Sequence, residues 1–308
     1  MLSLSSLAVN LPAKKLNIGS DHEALGIGRL ESRVFQRLYG FESCPVSEQS
    51  EPDLLCAAVE QLLKSTHTDP REVGCVLHAH TGPNIGPHGD QLLHQLKHRL
   101  GLAHARCFGT QLNKCVSVVT AFDLMSRLLI SGQQKGIIVI GEVADSRELR
   151  VLDSAVVGDV GLAVLVDTEG QENRILAQAI DVHDQYAMGI WMDGASQLSR
   201  DYDNTYQHNL VAVINRVLKE ASIDLSDIKL ILPHNVNIQI WKKAIPVLGV
   251  AEERVYLHNI AKFAHCFGAD ILMNYQSAIH EGRLQQGDLC LMVTVGVGGV
   301  FGACVIRH

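Results

Sequence analysis

Short aliphatic runs alternate with helical stretches along the whole chain, and this alternation is the tightest constraint on its fold. KGIIVIGEV (135–143) and GLAVLVDT (161–168) are apolar runs of strand length with no alternating polar face, the pattern of strands buried on both sides. GCVLHAH (74–80), RILAQAIDV (174–182), SDIKLILPHN and RVYLHNI read as further strands. Between them, EPDLLCAAVEQLLKST (51–66), the stretch 90–100, NLVAVINRVLKEASI (209–223) and IQIWKKAIPVLGV read as helices, the last stopped at Gly249. VSVVTAFDLMSRLLISGQQ (116–134) is apolar on nearly every side, which places that helix inside the molecule. AKFAHCFGADILMNYQSAIHEG reads as a loop and helix, and DLCLMVTVGVGGVFGACVIRH as two strands around a glycine-rich turn. The class is therefore α/β. The stretch 183–208 carries the least pattern and reads as an irregular connection or a lid over a pocket.

Composition narrows the function. The chain has 308 residues, 47% of them hydrophobic and 19% charged, enough apolar surface to exclude a disordered protein. The length suits two domains or one large unit of two halves. A net charge of −7 argues against a nucleic-acid binder and gives no long-range attraction for anionic substrates. No run of 18 apolar residues appears, and MLSLSSLAVNLPAKKL lacks the basic and apolar regions of a signal peptide. A soluble cytoplasmic protein with no membrane partner is expected. The eight cysteines form no CxxC pair, and several lie in apolar runs, so reduced thiols are expected, mostly packing residues with at most one nucleophile.

Four side chains could carry chemistry. Cys115 opens the apolar helix, where unpaired backbone N–H groups and the helix dipole favour a thiolate, the species that attacks thioesters. A small packing residue is the plainer alternative. His234 ends the strand KLILP, and polar residues at the carboxyl ends of buried strands face the crevice of α/β proteins. A loop histidine bonded to backbone is its alternative. His265 lies in AHCFGAD, with Asp270 five residues on to orient the imidazole and stabilise its cation. Asp270 as a simple helix N-terminal carboxylate is equally consistent. The GVGGVFG turn (296–302) offers either a backbone donor for an oxyanion or an ordinary hairpin turn, and is no dinucleotide fingerprint. HAHTGPNIGPHGD places His78, His80, His88 and Asp90 close in sequence, but without HExxH or CxxC a metal is not expected.

Together these segments resemble the thiolase superfamily, nearest its 3-oxoacyl-acyl-carrier-protein synthase III branch. LNKCVSVVTAFDLM resembles the nucleophile helix, VVGDVGLAVLV a Gly-Asp-Gly-Ala-Gly strand, and ILPHNVN a Pro-His-Gln-Ala-Asn motif. LAVNLPAKKL resembles the opening strand, FQRLYGFES stands at the Thr-Gly-Ile-Arg segment, and VGVGGVFGACVIRH resembles the closing turn. The resemblance implies two similar βαβαβ halves, over 1–170 and 171–308, in a five-layer α/β/α/β/α sandwich, and a homodimer. It implies catalytic Cys115, His234, His265 and Asp270, an oxyanion hole from the backbone of Cys115, Val297 and Gly298, and substrate contacts at Asn235, Asn237 and Phe267. No cofactor is implied; an acyl carrier protein or coenzyme A thioester would be the donor, and a small molecule the acceptor.

His265 stands where the initiating synthases of this branch have Asn. Elongating condensing enzymes carry His there, which would preserve decarboxylative condensation. Related acyltransferases of natural-product pathways also carry His, followed by Asp, and Asp270 favours that group. A His–Asp pair suits deprotonation of an incoming alcohol or amine. Lys114 and Val116 replace small residues beside the nucleophile. A non-catalytic partner subunit would normally have lost the thiol or a histidine, and this chain keeps all three.

Overall fold

The computed structural model describes residues 1–82, 92–129, 135–186 and 196–308. The chain opens with β1 (Ser3–Asn10), β2 (Lys15–Asn17), α1 (Arg29–Arg37), β3 (Ser43–Pro45) and α2 (Glu51–Ser65). It continues through β4 (Val73–Ala79), α3 (Leu92–Arg99), β5 (Arg106–Thr110), α4 (Ser117–Leu128) and β6 (Lys135–Ile140). Then come α5 (Arg147–Arg150), the small pair β7 (Val151–Leu152) and β8 (Ala155–Val156), and β9 (Gly161–Asp167). From β10 (Arg174–Val182) the order is α6 (Gln197–Ala221), β11 (Ile228–Pro233), α7 (Ile238–Leu248), α8 (His258–Phe263), α9 (Asp270–His280), β12 (Leu289–Gly296) and β13 (Val300–Arg307).

The strand order contains the same unit twice. β4-β6-β9-β1 and β11-β12-β13-β10 each pair parallel once and then antiparallel twice. β5 adds a parallel edge strand to the first unit. The units join edge to edge where Ser3 of β1 pairs with Arg174 of β10, so nine strands form one hydrogen-bonded sequence.

Alternate residues along each strand feed different layers. In β6, Ile137 and Val139 pack with Leu55, Val59 and Leu62 of α2 and Leu96 of α3. Ile138 and Ile140 turn the other way, toward Val119, Phe122 and Met125 of α4. In β12, Leu291 and Val293 meet Val213 and Val217 of α6 and Trp241 of α7, whereas Cys290 and Met292 join the cluster that holds α4, Ile271 and Leu272. The layers are therefore α2/α3, sheet, α4/α9, sheet, α6/α7, a five-layer thiolase-like α/β sandwich. Each fully buried Leu, Ile or Phe contributes about 2 kcal/mol by burial, which is why the uniformly apolar strands lie here.

Two sequence expectations fail. Of the stretch 183–208, read as an irregular connection or a lid, residues 197–208 are regular and begin α6, with the Ser196 side chain accepting from the Ser199 N–H at 3.0 Å, and 187–195 lie outside the described residues. RVYLHNI is not a strand; it runs from a 3-10 turn (Glu252–Arg254) into α8, and Val255 makes only an isolated bridge to Ile231. The apolar Val255 and Tyr256 are buried against the sheet without extending it. The expected stop of α7 is met, Gly249 adopting φ +65°. No helix among the described residues is long and apolar enough to cross a membrane.

Candidate active site

Cys115 sits in a single 3-10 turn, Lys114–Val116, that leads into α4. The turn is seated on the second half of the chain. A Cβ on Gly296 would fall 2.4 Å from the Asn113 carbonyl, and one on Gly302 would fall 2.4 Å from Val116 Cγ1. The Thr294 hydroxyl donates to the Cys115 carbonyl at 3.3 Å. Strands β12 and β13 thus approach the turn as closely as backbone allows, and glycine at both positions is what permits it. The Cys115 side chain is almost fully buried.

His265 arrives from the loop between α8 and α9. Ala264 before it holds φ +57°, a costly conformation for a residue with a Cβ. The His265 N–H donates to Val156 and its carbonyl accepts from Gly158, both at 2.9 Å, so the 156–159 segment fixes the backbone from the first half. That segment is itself held by the buried pair Arg150–Asp159 at 2.8 Å. His265 Nδ1 faces Asp270 Oδ2 at 2.6 Å, and Nε2 faces Cys115 Sγ at 3.7 Å. Burial acts to lower the affinity of His265 for a proton. The Asp270 carboxylate, by charge and hydrogen bond, and then Cys115 outweigh it, and the pKa is pushed up to about 10.

Asp270 begins α9 and accepts from the N–H groups of Cys266 (2.7 Å) and Asn235 (2.6 Å) as well as from His265. Both sequence readings of this residue are met at once: it is a helix-start carboxylate and the partner of the imidazole.

His234 follows β11, its N–H donating to Val293 at 2.9 Å and its carbonyl accepting from Trp241 Nε1 at 3.2 Å. Its ring lies 6.3 Å from that of His265. Nε2 is 3.4 Å from the Tyr206 hydroxyl of α6. Burial, reinforced by the charge of His265, pushes its pKa down to about 3. Two neighbouring histidines are thus held in opposite states near neutral pH, one cationic and one neutral.

A cavity of about 540 Å³ opens onto Cys115, His234 and His265. Tyr202, Tyr206 and Gln207 of α6, Asn237 and Ile240 of α7, and Val295–Val297 at the end of β12 line it. Asn237 also caps α7, its Oδ1 accepting from Ile240 N–H at 3.1 Å. Besides Asp270, which stands behind His265, three expected site residues do not line it. Asn235 is fully buried behind the site, bonded to Asp270 and Asn274, because its side chain completes the support of Asp270. Phe267 sits behind His265, ring to ring at 5.4 Å. Gly298 lies beyond the turn residues Gly296 and Val297 that reach the cavity.

His78 of β4 and His80 just after it stack at 4.6 Å and 14°. His88 and Asp90 lie outside the described residues, among which no group of metal-ligating side chains occurs. The eight cysteines are free, and all but Cys107 are buried.

The sequence reading missed Tyr202, Tyr206 and Thr81. The tyrosines stand four apart, one turn along a helix face, a spacing visible once 197–208 is taken as helical. Thr81 follows β4 as His234 follows β11, and its hydroxyl lies 3.7 Å from Cys115 Sγ. The assembly can hold a sulfur next to a cationic imidazole backed by a carboxylate, beside a neutral imidazole, at the wall of a cavity.

Residues 218–308 match the family model of the 3-oxoacyl-[acyl-carrier-protein] synthase III C terminal. The beta-ketoacyl-[acyl-carrier-protein] synthase III of Aquifex aeolicus is 26% identical over 200 residues, 63% of this chain and 64% of that one, so the match spans less than two thirds of the relative. The synthase III of Rhizorhabdus wittichii is 24% identical over 269 residues, 83% of each chain. Among solved structures, ChlB3, an acyltransferase, superposes with a TM-score of 0.86 at 19% identity, over 99% of this chain and 97% of that one. The Aquifex aeolicus synthase III structure gives 0.81 at 20% identity over the whole of both chains. The duplicated strand order and the layering agree with these matches: the fold is thiolase-like, as in the synthase III structures, and residues 218–308 are similar to the synthase III C-terminal family.

Proposed function

We propose that the protein is a thioester-dependent acyltransferase that carries its acyl group on Cys115. The observation that supports this most is the continuous chain Cys115 Sγ–His265–Asp270, of which Cys115 and His265 line a cavity. The sulfur, as thiolate beside the His265 cation, attacks the thioester carbonyl of a coenzyme A or acyl carrier protein donor. Backbone N–H groups of Cys115 and Val297 receive the oxyanion, each contributing about 3 kcal/mol. Collapse expels the donor thiolate, which takes the His265 proton and leaves as a thiol. His265, now neutral, accepts a proton from an alcohol or amine as it attacks the acyl-enzyme, a step worth about 3–5 kcal/mol. The thiolate and imidazolium re-form together, so the cycle balances without a cofactor. Asn237 and the tyrosines of α6 would contact the bound molecules. We place the protein in the cytoplasm as a homodimer, in which the exposed edge strand β5, with Phe108 and nearby Leu112, meets a second copy.

A second reading has a specific observation behind it. His234 is held neutral, the state suited to donate to the enolate formed when a malonyl thioester loses carbon dioxide. Incubation with acyl-coenzyme A and hydroxylamine, a surrogate amine acceptor, separates the readings. Acyl hydroxamate and free coenzyme A are expected, with no carbon dioxide from malonyl-coenzyme A. Carbon dioxide release that His265→Ala abolishes would establish the condensing reaction instead.

A further inference from the structure

Besides His265, the sulfur has a further polar neighbour among the described residues, and that neighbour is unusually well held. The Thr81 hydroxyl lies 3.7 Å from Cys115 Sγ, a donor–sulfur hydrogen-bond distance, and Thr81 is buried. Its backbone is clamped on both sides. The Glu142 carboxylate, after β6, accepts from the N–H groups of Thr81 and of Gly82, the latter at 2.8 Å. Lys114, next to the nucleophile, reaches back to the Thr81 carbonyl at 3.4 Å. A Cβ on Gly82 would fall 3.0 Å from Glu142 Oε2, so the carboxylate sits hard against this peptide. Burial pushes Glu142 above the ordinary carboxylate range, against the hydrogen bonds from Thr81 and Gly82. A buried carboxylate costs stability unless its hydrogen bonds compensate, so its presence here asks for a role.

We propose that Thr81 is a further catalytic residue, its hydroxyl donating to the Cys115 sulfur whenever that sulfur is anionic, and that Glu142 is the positioning residue that aims it. Thr81 approaches from β4, His265 from the α8–α9 loop, so the sulfur is held from two directions. The two donors act at different moments. His265 gives its proton away when the donor thiol leaves and is neutral while the acyl group is in place. Thr81 keeps its proton throughout and is available each time negative charge returns to the sulfur. Glu142 binds the two backbone N–H groups and also lies within hydrogen-bond reach of the Thr81 hydroxyl, whose proton turns to the sulfur when negative charge develops there. Lys114, which departs from the small residue usual in the resembling family, becomes part of the same clamp.

This inference rests on Cys115 being the nucleophile, and its test reads the thiol without requiring turnover. The pH profile of iodoacetamide alkylation at Cys115 is measured in the full-length protein, with Cys115→Ala as the blank. Thr81→Val is expected to move the midpoint about one to two units to higher pH, the size of one hydrogen bond to a charged group. Thr81→Ser, which keeps the hydroxyl, is expected to restore it. Glu142→Gln, with one good acceptor in place of two, is expected to give a smaller shift in the same direction. Loss of packing alone would lower the fraction of protein that reacts and leave the midpoint in place. An unmoved midpoint in folded Thr81→Val overturns the assignment, as does a Thr81→Ser profile matching that of Thr81→Val. Failure of the acyltransferase reading would appear separately, as the absence of any acyl adduct in the unsubstituted protein.

Discussion

Asp270 Oδ2 sits 2.6 Å from His265 Nδ1, and the opposite nitrogen of the same ring faces Cys115 Sγ. The carboxylate fixes both the ring's orientation and its charge. Asp270→Asn removes the charge and leaves a single acceptor oxygen, so either the Cys266 N–H, now on Oδ1, or the Asn235 N–H, now on Oδ2, loses its partner. We expect acyl transfer to fall on the order of 10³-fold and stability to fall by about 3 kcal/mol, as for breaking a buried pair. Steady-state rates and urea unfolding check the two effects.

The opposed histidines give a signed pH dependence. His265 is protonated in the fold up to about pH 10 but only to about 6.5 when unfolded, so its contribution is complete below 6.5 and is lost as pH rises through 10. His234 is the reverse. Neutral in the fold down to about pH 3, it contributes fully above 6.5 and loses that contribution as pH falls toward 3. Urea unfolding from pH 4 to 10 is expected to show His234→Gln flattening the acid limb and Asp270→Asn the alkaline limb.

Tyr206 supplies the hydroxyl 3.4 Å from His234 Nε2. Tyr206→Phe keeps the ring packed against Phe301 and Tyr202 and removes only that contact. We expect kcat to fall about tenfold with the rate of Cys115 acylation unchanged, since His234 would then be oriented by its backbone and ring packing, without the hydroxyl contact at Nε2. Stopped-flow measurement of the two half-reactions separates these.

Gly296→Ala drives a methyl group into the Asn113 carbonyl, which cannot move without displacing the Cys115 turn. A cost of about 2–3 kcal/mol is expected, together with slower alkylation of Cys115. Gly249→Ala, in open space at a helix end, is expected to cost about 1 kcal/mol and leave Cys115 unaffected. Thermal unfolding and alkylation rates distinguish the two.

What the sequence made legible followed burial. β6 and β9 were evident because both faces are covered, leaving no polar residue to blur the run. Cys115, His234 and His265 were evident because each stands where an apolar element begins or ends. β5 was not: Arg106–Thr110 is an edge strand with largely exposed side chains, held by backbone bonds to β4 rather than by a pattern. The first three turns of α6 were hidden because residues 197–208 are mostly polar and pack through Tyr202 and Tyr206. Asn235 shows the opposite limit, since motif position suggested a substrate contact and only the fold reveals that its side chain supports Asp270. Thr81 and Glu142 lie sixty-one positions apart, with no shared motif to join them.

Intact-protein mass spectrometry after brief exposure to acyl-coenzyme A thioesters tests the central claim most directly. The expected result is a single added acyl mass, located on the peptide containing Cys115, absent from Cys115→Ala and discharged by hydroxylamine. No adduct with any coenzyme A or carrier-protein thioester, or an equal adduct in Cys115→Ala, would contradict it.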